Sequence, residues 1–340
     1  MKIGIVTVYN SFNCGSFLQA YALYNFLRKH KGCDVAFLKR NRNLNKRNIF
    51  YYRLAIACKL FLRGKRQEAA TLLKMGAAFR RSQKLLPVVT TAEGCDLLIY
   101  GSDTIWNLEV SYFLTNWARY WGDGVTVKKI TYAASVGSTP SGVFYADPKY
   151  KKLMNEFAGV AVRDERTYEM ANTLLEGRTP QLVVDPTMLV PLEEFQAIAK
   201  PCKEKDFILV YYFGNMPKKL SDKLNAFAKA KNKKIITFGT SIPFDPGLML
   251  GYYEAADYVV TNTFHGNVFA VLYNKNFVGY GKEKSKVKLL LEEFGLSERL
   301  LDFDDDCEAA FQKGCDFTKA NSVLLEKRQE SASYLEAFLA

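Results

Sequence analysis

Of the two histidines in this 340-residue chain, His265 stands where chemistry is most easily done. The run Tyr258-Val259-Val260-Thr261 reads as a buried strand, and it stops in Asn262, Thr263, Phe264, His265 and Gly266. A second apolar run, Val268 to Tyr273, begins almost at once. In an α/β domain that spacing puts His265 at the carboxyl end of a strand, where such sheets bind ligands. Imidazole is also the side chain best suited to moving protons near neutral pH. A structural or capping histidine is the competing reading.

Three further polar turns follow strand-like runs. Asn10 to Tyr21 contains Asn13, Cys14, Gly15 and Ser16 ahead of a helical pattern, leaving backbone N–H groups to hold an anion or simply to be capped. It is neither a dinucleotide fingerprint nor a P-loop. Gly101-Ser102-Asp103-Thr104-Ile105-Trp106-Asn107 offers close backbone approach at Gly101 and hydrogen bonds for a hydroxyl-rich ligand at Ser102 and Asp103. Asp103 is suited to orient a sugar hydroxyl or to act as a base; capping is again the alternative. Arg163, in Val162-Arg163-Asp164-Glu165-Arg166, carries a guanidinium fork fitted to carboxylate or phosphate. A salt bridge to Asp164, Glu165 or Asp185 would use the same fork.

These turns need strands and helices to hold them. Strand signals at Ile3–Tyr9, Asp34–Leu38, Asp96–Gly101, Lys129–Val136, Gly159–Arg163 and Gln181–Val184 interleave with helical patterns at 17–30 and 166–175. A prolyl connector, Pro186, Pro191 and Pro201, leads to a second series: strands at Phe207–Phe213, Lys234–Phe238, Tyr258–Thr261 and Phe277–Tyr280, helices at 218–231, 284–294 and 319–339. Strands alternating with helices imply mostly parallel sheets covered on both faces. The expected division is a first α/β domain over 1–190, a second over 191–320 and a C-terminal helix over 321–340.

Charge is unevenly spread. The chain carries +12, yet residues 1–90 hold eighteen Lys+Arg against Asp34 and Glu68, a balance of +16, and the remainder is −4. Fourteen of these bases and one acid fall in residues 39–84. That insert, spanning about 39–85, also mixes in Phe, Tyr, Leu and Ile, a composition suited to an anionic bilayer surface or to an ordinary solvated helix. No nucleic-acid module accompanies it, so a nucleic-acid partner is not expected. Seven scattered cysteines, none in a C-x-x-C pair, fit reduced thiols and no structural zinc. Nothing reads as a signal peptide or a membrane span. The expectation is a cytoplasmic protein, peripheral on the inner membrane face if the insert docks there.

Taken in order, these segments resemble the polysaccharide pyruvyl transferase family. Asn13-Cys14-Gly15 with Leu18-Gln19-Ala20-Tyr21-Ala22-Leu23 is similar to its opening block, with Cys14 for a usual Tyr. Asp96 to Asn107, Val162-Arg163-Asp164, Asp185-Pro186-Thr187 and Thr263-Phe264-His265-Gly266 match four later blocks. The resemblance implies two Rossmann-like domains facing a cleft, as in GT-B glycosyltransferases. It implies transfer of a pyruvyl group from phosphoenolpyruvate to two hydroxyls of a sugar, in a polysaccharide or lipid-linked glycan precursor, forming a ketal without cofactor or metal. His265 and Asp103 would be catalytic. Arg163, Thr263, Phe264 and Gly266 would bind the donor; Asn13, Gly15, Gly101 and Ser102 would line the acceptor side. Thr263 replaces an arginine usual in this family, a lost charged hydrogen bond of about 1.5–3 kcal/mol; either a Lys from elsewhere, such as Lys282 or Lys284, takes its place, or this branch uses another donor. A nucleotide-sugar transferase on the same scaffold and a non-catalytic glycan- or membrane-binding protein are the alternatives.

Overall fold

The computed structural model describes residues 1–39, 46–281, 286–305 and 307–339, so Lys282, Lys284 and part of the basic insert lie outside it. Two parallel sheets form two lobes. The first contains β1 (Lys2–Val6), β2 (Asp34–Leu38), β3 (Val88–Val89), β4 (Leu97–Asp103), β5 (Lys129–Ala134), β6 (Ala161–Val162) and β7 (Gln181–Leu182). Their spatial order is β3-β2-β1-β4-β5-β6-β7. The second contains β8 (Phe207–Tyr211), β9 (Lys234–Thr237), β10 (Tyr258–Thr261), β11 (Asn276–Tyr280) and β12 (Leu300–Leu301), ordered β12-β11-β10-β8-β9. Strands covered on both faces must be apolar throughout. Ile3, Ile5, Leu98, Ile99, Ile208, Leu209, Val259 and Val260 are accordingly fully buried.

Each sheet reverses its strand order once, between β1 and β4 in the first lobe and between β8 and β10 in the second. Ligands of open α/β sheets sit beyond the strand ends at such reversals. Asn13 follows β1, Asp103 ends β4, and His265 follows β10. Sheet topology therefore selects three of the four turns that residue chemistry selected; the Arg163 turn follows β6, away from the reversal.

The C-terminal helix, Thr318–Glu336, packs on the second lobe through its first half, where Lys327 pairs with Glu293 at 2.6 Å, and then goes further than the pattern suggested. Its last turns reach the first lobe. The Tyr334 hydroxyl donates to Thr131 O at 2.9 Å, and the Val184 N–H donates to Ser331 Oγ at 3.0 Å. Phe338 fills the space left by the absent side chain of Gly159, where a Cβ would come within 2.5 Å of the ring. These partners satisfy a backbone carbonyl within β5 and a backbone N–H just beyond β7.

The basic insert forms a pair of helices, α2 (Lys46–Leu62) and α3 (Arg66–Gln83), which follow the first-lobe helix α1 (Cys14–Arg28) and β2. α3 buries Ala69, Ala78 and Phe79, with Phe79 edge-on to Phe12 at 5.4 Å. It also reaches the other lobe: the Gln67 amide donates to Ser241 O at 3.2 Å and the Thr71 hydroxyl to Thr240 O at 3.3 Å. Phe61, Leu62 and Leu73 remain exposed beside Lys59, Arg63 and Lys74. No described helix is long and apolar enough to cross a membrane.

Candidate active site

Asp185 is the residue on which the site converges. It precedes the turn Pro186–Leu189 and caps it, Oδ1 accepting from the Thr187 N–H at 3.0 Å and the Thr187 hydroxyl at 2.7 Å. Its other oxygen, Oδ2, accepts from Arg163 Nη1 at 2.5 Å and faces His265 Nε2 at 3.7 Å. Burial alone would favour the protonated acid. The His265 ring, the Arg163 guanidinium and the Thr187 N–H outweigh it and hold the carboxyl well below its usual range. Arg163 and His265, from different lobes, thus meet at one ionised oxygen.

The first helix makes room for the imidazole. Asn13 Oδ1 accepts from the N–H groups of Gly15 at 2.9 Å and Ser16 at 3.3 Å, starting α1 as a capping residue does. The helix then passes so close to His265 that a Cβ on Gly15 would lie 2.2 Å from Nδ1. Ser16 donates its hydroxyl to Asp103 Oδ2 at 2.6 Å, and Asp103 Oδ1 accepts from the Thr104 N–H at 2.8 Å. Asp103 Oδ1 stands 3.9 Å from Arg163 Nη2. The ring of Phe264 lies under the Arg163 guanidinium at 5.2 Å and edge-on to His265 at 5.3 Å.

A cleft of about 760 Å³ opens between the lobes, walled by Asn13, Asp103, Arg163 and Asn107 on one side and by Tyr211, Phe213, Phe264 and His265 on the other. A smaller cavity of about 260 Å³ adjoins it behind Arg163, Phe264 and Lys286. Not every anticipated residue reaches this space. Ser102 is fully buried; its hydroxyl meets Gln19 Oε1, and its carbonyl accepts from Thr7. Gly101, at φ +126°, is where β4 approaches β5 so closely that a Cβ would meet Tyr132 O at 2.0 Å. Gly266 donates its N–H to Thr263 Oγ1 at 2.9 Å and accepts the Tyr253 hydroxyl at 3.0 Å, so both its backbone groups are spent inside the lobe. Thr263 lines the cleft, but its hydroxyl is used in that cap and in a 3.1 Å contact with Thr261. Gly101, Ser102 and Gly266 therefore build the wall from behind.

Sequence reasoning passed over two participants. Asp185 entered it only as a salt-bridge partner and a motif letter. Lys286 was not singled out, although its neighbours were. Its ammonium donates to Ser135 Oγ at 2.7 Å and stands 3.7 Å from Asp164 Oδ2, on the boundary of both cavities. A lysine beginning a charged helix leaves no signal that separates it from Lys284 or Lys288. Among the described residues, buried side-chain atoms lacking a hydrogen-bond partner include Arg163 Nε, Asp164 Oδ2 and His265 Nε2. Orphaned polar atoms gathered at one place mark a site that a ligand completes. No cluster of metal-ligating residues is found among the described residues.

Comparison with known proteins bears on the fold and the family. The chain superposes on the S. aureus MnaA–UDP co-structure with a TM-score of 0.50 at 10% identity, covering 92% of this chain and 86% of that one. It superposes on the UDP-GlcNAc 2-epimerase of Methanocaldococcus jannaschii with a TM-score of 0.50 at 11% identity, covering 96% and 99%. At such identities the likeness establishes the two-lobed, GT-B-like fold. A search of curated proteins found no match. The sequence model of one family, described as polysaccharide pyruvyl transferase, matches residues 13–282, a span that holds every turn lining the cleft up to Phe264 and His265. The chain belongs to the polysaccharide pyruvyl transferase family.

Proposed function

We propose that the protein transfers a pyruvyl group from phosphoenolpyruvate to two hydroxyls of a sugar in a polysaccharide or lipid-linked glycan precursor. The observation that carries this reading is the meeting of His265 and Arg163 at Asp185 Oδ2, at the wall of the interlobe cleft. The reaction needs a proton delivered to the methylene carbon of the donor, which makes the adjoining carbon cationic. One hydroxyl adds there, the C–O bond to phosphate breaks, and the second hydroxyl closes the ketal. Of the two hydroxyl protons, one replaces that spent on the methyl group and the other leaves on hydrogen phosphate.

His265 is the acid and base for these transfers, held in orientation by the Asp185 carboxylate across 3.7 Å. Asp103 faces the same cleft and is the acceptor for a hydroxyl proton. Arg163, locked to Asp185, contributes a fixed positive charge beside the leaving phosphate. The half-exposed ring of Phe213 at the cleft rim offers an apolar face to a sugar. The exposed apolar and basic residues of α2 and α3 suit the surface of an anionic membrane, where a lipid-linked acceptor would lie.

The test is phosphate release from phosphoenolpyruvate, with and without a glycan acceptor. Acceptor-dependent release that disappears in His265→Ala supports the reading. The S. aureus neighbour was solved with UDP. A nucleotide-sugar transferase would instead release no phosphate and would be protected from heat by UDP.

A further inference from the structure

We infer that Phe213 is the platform on which one pyranose ring of the acceptor stacks, and that the side chain of Asn262 holds this platform in place. The inference rests on the reading of the cleft as the site of transfer to a sugar and adds what selects and orients that sugar.

Strand β8 ends at Tyr211, in register with Thr261 at the end of β10. Beyond that pair the main chains part, because β10 gives way to the helix Phe264–Leu272. The Asn262 side chain continues the ladder in place of a strand. Its Oδ1 accepts from the Phe213 N–H at 2.8 Å, and its Nδ2 donates to the Phe213 carbonyl at 2.9 Å. A carboxamide can serve both groups because it carries a donor and an acceptor, as a peptide unit does. Gly214, at φ +84° and with open space where a Cβ would stand, then turns the chain away. The Phe213 ring is backed by two others: it stacks on Phe244 at 6.0 Å and 26°, and Tyr211 meets it at 5.6 Å.

A ring held this firmly is nevertheless 47% exposed. Phe61, Tyr145 and Phe303 are the other exposed aromatic rings among the described residues, and none of them lines the cleft. The opposite wall of the cleft is polar there, with Asp103, Thr104 and Ser138 of the first lobe. A pyranose has the matching two-sided chemistry. Its C–H face packs on an aromatic ring, and the hydroxyls at its edge donate to a carboxylate or exchange hydrogen bonds with hydroxyls. The ring that fits is one whose stacked face bears hydrogens and no axial hydroxyl. Phe213 is thereby a specificity-determining residue, and Asn262 is a positioning residue that acts through it.

The test is saturation-transfer NMR on the whole protein with three probes: methyl β-glucopyranoside, methyl β-galactopyranoside and UDP. Wild type should transfer saturation to the ring C–H protons of at least one glycoside. Phe213→Ala should lose at least tenfold in affinity for that glycoside, and Phe213→Trp should retain it. Asn262→Ala should weaken binding in the wild-type background and change nothing further in Phe213→Ala, as a residue acting through the ring must. Circular dichroism of each variant checks that the fold persists. In the phosphate-release assay Phe213→Ala should raise KM for the glycan and leave KM for phosphoenolpyruvate unchanged, a division that general loosening of the fold would not produce. Should glycosides bind through Phe213 while wild type leaves phosphoenolpyruvate intact, the platform stands and the proposed donor falls. Undiminished glycoside binding by folded Phe213→Ala, no glycoside bound by wild type, or UDP held by Phe213 in place of the glycosides overturns the inference.

Discussion

Gly15 lacks a side chain because His265 occupies the place where one would be. Gly15→Ala would press a methyl group to 2.2 Å from the imidazole, so ring or helix must shift. We expect a stability loss of about 1–3 kcal/mol and a far larger loss of turnover, measured by thermal unfolding and phosphate release on the same sample. Asp185→Asn tests the charge at the centre of the site. Removing one partner of a buried ion pair costs roughly 3 kcal/mol, because Arg163 keeps a buried charge. The carboxyl of Asp185 is held below its unfolded value of about 4. Its stabilisation is therefore complete above that pH and declines as pH falls through the lower folded value. The gap in melting temperature between wild type and Asp185→Asn should stay constant from pH 7 to about 4 and narrow below it. A constant gap down to the most acid pH tested would show that the ion pair is not its source. At this scale the position of His265, Arg163 and Asp103 at the cleft was legible in the sequence, because polar residues after apolar runs mark strand ends. Asp185 and Lys286 were not: their roles come from partners more than twenty residues away in the chain, which no local pattern encodes.

Among the elements, strands of the two sheet interiors were the clearest in the sequence. Asp34–Leu38 and Tyr258–Thr261 coincide with β2 and β10, since a strand covered on both faces must be an unbroken apolar run. Of the four edge strands, β7 and β9 fall inside runs the sequence marks, whereas β3 and β12 were not legible. β3 and β12 are two residues long and exist only because a neighbour offers a ladder to join. The run from Val268 to Tyr273 shows why periodicity fails for a fully buried helix: every residue from Gly266 to Leu272 of the helix Phe264–Leu272 is buried, so no polar face marks its turn. The α2–α3 pair carries a prediction of its own. Phe61 and Leu62 stand exposed amid Lys59, Arg63, Lys65 and Arg66. The protein should sediment with vesicles containing phosphatidylserine, release as salt rises, and ignore neutral vesicles. Replacing Phe61 and Leu62 by Glu should abolish sedimentation and leave phosphate release from a water-soluble acceptor intact. Equal binding to neutral vesicles at high salt would contradict electrostatic docking.

On the scale of the molecule, two lobes with reversed strand order face each other, and the C-terminal helix ties the second back to the first. The alternation of strand and helix signals made the two-lobe plan readable, while the return of the last helix was hidden. Its partners, Thr131, Val184 and Gly159, lie about 150 to 200 residues earlier. Tyr334→Phe removes one half-buried hydrogen bond and should cost about 1 kcal/mol, read as a lower midpoint in urea. The proposed function requires the cleft to consume phosphoenolpyruvate. The direct measurement is transfer of carbon-13 from labelled phosphoenolpyruvate into lipid-linked glycans extracted from the producing cell. Wild type should move the label into a ketal that survives alkali and is cleaved by acid, with one phosphate released per label, and His265→Ala should move none. Phosphoenolpyruvate left intact by the folded wild-type protein in the presence of those glycans would contradict it.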